Sequence, residues 1–135
     1  MTIQNTPFLR NTLIADAGVG LAAAALTIFG ASFLSPLLNL PQGLIFWAGV
    51  ALLPVAALLI AAARRSEIPR FWLREIVFIN VAWVIASFGI LIAGLVQPNA
   101  LGIAFIVAQA LAVGLFAELQ YIALRRSRVA DLQSA

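Results

Sequence analysis

Four apolar runs, separated by short polar breaks, organise the chain. They cover about residues 12–34, 41–63, 73–96 and 101–124. A helix needs about 20 apolar residues to cross a hydrocarbon core of about 30 Å, and each run is long enough to do so with some tilt. The pattern predicts an all-α integral membrane protein, an antiparallel four-helix transmembrane bundle in one domain. The connections are short. Ser35–Gly43 is an uncharged turn with two prolines, and Gln97–Ala100 is a tighter uncharged turn. Turns this short favour an up-down-up-down order. Met1–Asn11 reads as a short polar lead to a retained first span, because the apolar run that follows exceeds the 7–15 residues of a typical signal-peptide core.

The central break is different. Arg64–Glu75, RRSEIPRFWLRE, holds four of the eight arginines, while the two uncharged turns hold none. The other arginines lie at Arg10 and at Arg125–Arg128. All eight therefore fall on one side of a four-span chain. Short loops rich in arginine stay in the cytoplasm, so both termini are expected there. Trp47, Phe71 and Trp72 stand near the ends of spans, where aromatic side chains anchor at the interface. Arginine supplies every basic residue and lysine none. That usage hints at a GC-rich bacterial genome, and the expected location is the bacterial inner membrane.

Composition narrows the chemistry. Charged residues make up 10% of the 135 residues, against about 25% in soluble domains. The net charge of +3 belongs to arginines facing anionic headgroups, and no soluble basic face is present for nucleic acid. Cys and His are absent, which removes disulfides, thiolate chemistry and the common zinc and haem ligands. No phosphate loop or nucleophile elbow occurs. We expect no enzymatic activity and no cofactor.

A few polar residues remain inside the spans. Asp16 lies six residues past Arg10, Asn80 six past Arg74, and Glu118 seven before Arg125. At 1.5 Å per residue each is about 9–10 Å inward of its arginine, so the three predict one polar layer. They are expected to face the interior, with Tyr121 adding a hydroxyl and Arg10 or Arg64 reaching inward. Intramembrane acids are functional candidates by default; near helix ends they can instead snorkel to the surface. Asn80, Trp83 and Ser87 share a helical face. Gln109 is placed to bond a neighbouring helix through Ser87 or Thr27. Ala15, Gly18, Ala22 and Ala25 form a small-residue stripe on the first span, where close helix packing is expected. Pro54 cannot donate to the carbonyl of Val50, which predicts a kink in the second span.

In size and four-span plan the chain is similar to small multidrug-resistance transporters, which also carry one acid in the first helix. The likeness rests on Asp16 alone, and the strong arginine asymmetry departs from a dual-topology plan. Two functions fit the sequence. One is a non-enzymatic accessory or scaffold subunit, bound to membrane lipids, to a membrane-protein partner or to further copies of itself. The other is a small oligomeric proton-coupled transporter or channel built on Asp16 and Glu118.

Overall fold

The computed structural model describes residues 2–134, apart from the side chains of 128, 130, 131 and 134. Seven elements follow in order: β1 (Thr2–Gln4), α1 (Pro7–Phe29), α2 (Ala31–Leu38), α3 (Gln42–Ala63), β2 (Glu67–Pro69), α4 (Arg70–Ile92) and α5 (Ala100–Ser134). Four helices, α1, α3, α4 and residues 100–127 of α5, are long and apolar enough to cross a membrane. This is the pattern of a multi-pass membrane protein.

Local signals explain where the helices begin and end. Helix α1 starts at Pro7, earlier than the apolar run, because Thr6 caps it: its hydroxyl accepts the Leu9 N–H at 3.3 Å, and Pro7 has no N–H to satisfy. Arg10 and Asn11 therefore lie on the helix and not in a lead segment. At its other end α1 breaks at Gly30, short of residue 34, and the chain resumes as α2 across the last residues of the expected span and the first of the expected turn. Asn39 ends α2 in the left-handed conformation, φ 56°, which Asn tolerates better than most residues. Helix α4 stops at Ile92, short of residue 96. Gly94, at φ +70°, closes it: the Gly94 N–H bonds Leu91 O and the Leu95 N–H bonds Ile90 O, the two bonds of a Schellman cap. Nothing after Gly114 breaks α5, so it runs on through the arginines. Pro54 is exposed, and α3 is helical from Gln42 to Ala63 around it.

The polar breaks are tied together. Thr2–Gln4 pairs antiparallel with Glu67–Pro69, so the amino terminus forms a small sheet with the arginine-rich loop. Beside it, the buried Asn5 amide donates to Ala63 O at 3.0 Å and Arg65 O at 2.8 Å, capping the end of α3. At the opposite end Asn99 caps α5 by accepting the Gly102 N–H at 2.8 Å, and donates to Leu37 O at 2.8 Å. Asn39 returns a bond to Gln97 O. The two uncharged connections thus hold each other.

The helices pack as two close pairs, α1 with α3 and α4 with α5. Helices α1 and α5 join the pairs, while α3 meets α4 only sparsely. Near the sheet the interior is filled by Ile3, Leu13, Leu59, Ile68, Leu73 and Ile76. A second cluster gathers Leu34, Leu38, Leu40, Ile45 and Ile106 near the uncharged loops. The expected small-residue stripe does not make these contacts. Ala15, Gly18, Ala22 and Ala25 are all exposed, because α1 turns Leu9, Leu13, Asp16, Ala17, Ala24 and Thr27 inward instead. The close α1–α3 approach depends on Gly49, where an added Cβ would lie 2.2 Å from Thr27 Oγ1.

Gly49→Ala should therefore destabilise the fold by about 1–3 kcal/mol through overpacking. Gly18→Ala, with nothing within 4 Å of the added carbon, should leave the melting temperature unchanged or slightly raised. Thermal unfolding of the two variants in detergent compares them directly, and equal melting temperatures would remove Gly49 from the α1–α3 contact.

Candidate functional site

Three helices bring polar side chains to one buried point. Asp16 from α1, Asn80 from α4 and Gln120 from α5 are 7%, 4% and 0% exposed. Asp16 lies about 14 Å along α1 and Asn80 about 15 Å along α4 from the first helical residues, so the cluster sits mid-helix. Asp16 Oδ2 accepts two amide N–H groups, from Gln120 Nε2 at 2.7 Å and from Asn80 Nδ2 at 3.0 Å. Asn80 Nδ2 also donates to Gln120 Oε1 at 2.7 Å.

The three residues determine one another's orientation. A carboxylate only accepts, and an amide offers two N–H donors on one side and a carbonyl on the other. Turning either amide around would set oxygen against oxygen, so the network leaves one arrangement for each. Both N–H groups of Asn80 are used. The buried acid is thus held by neutral donors from two other helices, which answers the cost of placing a polar group away from water.

Of the residues expected in this layer, the structure brings Asp16 and Asn80 together. Glu118 is exposed on α5 and stands outside the cluster; Gln120 takes its place. Tyr121 is exposed on the same outer surface, 51% accessible. The reason is angular. Glu118 and Gln120 are two residues apart, about 200° around a helix, so they cannot share a face. Arg10 and Arg64 are exposed and do not reach inward. The signal for Gln120 lies in α5 itself: Gly102, Ile106, Ala110, Ala117 and Gln120 form its buried stripe.

A second polar group lies one turn further along α4, toward the uncharged loops. Trp83 Nε1–H donates to Gln109 Oε1 at 2.7 Å, and Gln109 Nε2 donates to Ser87 Oγ at 3.0 Å and to Ile106 O at 2.7 Å. The Ser87 hydroxyl donates back to Trp83 O at 2.7 Å. These bonds join α4 to α5, as the sequence position of Gln109 suggested, and Thr27 stays on its own helix, donating to Ala23 O at 2.8 Å. Among the described residues no group of three or more His, Cys, Asp or Glu side chains is placed to hold a metal ion.

Comparison with protein-family models, with curated proteins and with solved structures finds no match for this chain.

Gln120→Leu should strand an N–H of Asn80 and leave Asp16 with one donor, at a cost of about 1–3 kcal/mol. Glu118→Leu, at an exposed position, should change stability by no more than about 0.5 kcal/mol. Melting curves in detergent separate the two, and a Glu118→Leu loss equal to that of Gln120→Leu would contradict the cluster as described.

Proposed function

We propose that this chain is a small four-span protein of the bacterial inner membrane, an antiparallel bundle with both termini in the cytoplasm. In this reading it is a non-enzymatic accessory or scaffold subunit that holds lipid or a membrane partner. The orientation rests on the arginines. Arg64 and Arg65 flank the small sheet, Arg10 lies in the first turn of α1, and Arg70 and Arg74 open α4. The guanidinium of Arg126 stacks over Phe8 at 5.8 Å, bringing the arginines of α5 to the same end. The loops at the other end carry no charge. That asymmetry favours a cytoplasmic sheet.

The observation that carries the scaffold reading is the use made of Asp16. Its Oδ2 is engaged by two side-chain amides, and those bonds join α1 to the α4–α5 pair. A group committed to holding helices together supports a static bundle. The transporter reading paired Asp16 with Glu118, and Glu118 lies outside the cluster on the exposed surface. The acid that remains has no carboxylate neighbour in the bonded network.

Two measurements test this. Reporter fusions at Gln97–Ala100 and at the carboxyl terminus should read non-cytoplasmic and cytoplasmic respectively; a cytoplasmic signal from Gln97–Ala100 would remove the topology. Purified protein in liposomes loaded with a pH-sensitive dye should show no proton flux above that of empty vesicles. Flux abolished by Asp16→Asn in a variant that still folds would instead establish the transporter.

A further inference from the structure

The helix arrangement leaves part of the interior unfilled. A cleft of about 340 Å³ lies among the four spans in the half nearer the uncharged loops, a size within the range of about 300–1,000 Å³ typical of small-molecule sites. Leu44, Ala48 and Leu52 of α3 form one wall, and Trp83, Ala86 and Ile90 of α4 face them. Helices α3 and α4 touch sparsely, so the cleft opens between them. Trp47, 65% exposed, stands at its edge. We propose that this cleft holds one acyl chain of a bilayer lipid, entering sideways between α3 and α4. The assignment rests on the reading of these helices as membrane spans.

Three observations select that occupant. The first is the state of the polar groups in the wall. Gln109 uses its amide on Ile106 O and Ser87 Oγ, and its carbonyl receives the Trp83 indole N–H. Ser87 and Thr27 donate their hydroxyl hydrogens to carbonyls of their own helices. A polar ligand would meet side chains already engaged with the protein, and an ordered water needs two to four polar partners. What fills the cleft is therefore apolar.

The second is length. From Leu44 to Leu52 the α3 wall runs about 12 Å along the helix axis. Half of a hydrocarbon core of about 30 Å is about 15 Å. The cleft thus follows one leaflet lengthwise, which suits an extended chain better than a compact ligand. The third is charge. Neither Leu40 and Leu44, at the outer end of the cleft, nor the uncharged loops near them include a charged residue. Nothing there selects a headgroup by charge, so the site should accept lipids by their chains.

The test uses the full chain carrying Trp83 as its sole tryptophan, with Trp47→Phe and Trp72→Phe, in phosphatidylcholine vesicles whose acyl chains are brominated. Bromine quenches an indole it touches. Trp83 should be strongly quenched, and filling the cleft from either wall, by Ala48→Phe or Ala86→Phe, should cut that quenching at least twofold. Replacing half of the lipid by brominated phosphatidylglycerol should leave it unchanged. Equal quenching with and without the added phenylalanines, or no quenching at all, overturns the assignment. Native mass spectrometry of the unsubstituted chain supplies a reading that needs no variant to fold. One retained lipid per chain is expected. A lipid-free chain, or a dimer that sheds lipid as it forms, would also overturn the assignment, the latter by giving the cleft to a second copy. Absent quenching with the reporter fusions intact removes the cleft occupant alone, whereas failed fusions remove the membrane topology beneath it.

Discussion

The carboxylate of Asp16 is the constraint on which the interior depends. A charged or strongly polar group that leaves water must find donors, and few exist between apolar helices. Here the donors come from two helices other than its own. Asn80 and Gln120 each give an N–H to the same oxygen and exchange a bond with each other. The consequence is geometric. Rotating α1 or α5 by one residue would turn a member of the set away by about 100°. The α1–α3 pair and the α4–α5 pair are thereby held in one rotational setting, something that sliding contacts between Leu and Ala side chains do not impose by themselves.

This lock divides the interior into two unlike halves. On the side of the small sheet, large side chains fill the space: Leu13, Leu59, Leu73 and Ile76 are fully or almost fully buried. On the other side, α3 and α4 touch only sparsely, and the cleft remains between them. The ends are closed independently of the lock. Asn5 and the two short strands tie the amino terminus to the arginine loop, and Asn39 and Asn99 tie the uncharged loops together. The open half is therefore bounded by hydrogen bonds above and below, and its width is not set by close packing of α3 on α4.

Much of this was legible in the sequence, and the misses have physical causes. Long apolar runs identify spans because a helix must match the thickness of a bilayer, whatever its neighbours are. Helix ends were harder to read, since caps decide them: Thr6 and Pro7 start α1 among polar residues, and Gly94 stops α4 inside an apolar run. The pairing of Thr2–Gln4 with Glu67–Pro69 left little trace, because three residues are too few to show an alternating pattern. The polar layer was half visible. Depth along the helix pointed to Asp16 and Asn80 and also to Glu118, but depth does not give direction. The buried stripe of Gly102, Ile106, Ala110 and Ala117 gives the direction in α5, and Gln120 lies on it.

The lock also determines which helix is least constrained. Moving α1 away from α4 or α5 would strand the Asp16 carboxylate, and moving α5 away from α4 would break the bonds of Gln109 as well. Helix α3 contributes nothing to either network. It is held by α1 along its length, closely at Gly49, by α2, and by Asn5 at its far end. Its contact with α4 is sparse. Pro54 removes one backbone donor from this same helix, two residues beyond Leu52 in the cleft wall, and a helix bends most readily where such a bond is missing. Because α1 packs against α3 along its length, the width of the cleft is set by the hold of α1 on α3, and α1 is in turn fixed to α4 and α5 by the shared carboxylate. The polar lock and the cleft coexist in so short a chain because the lock joins α1, α4 and α5, while the cleft lies where α3 and α4 touch sparsely.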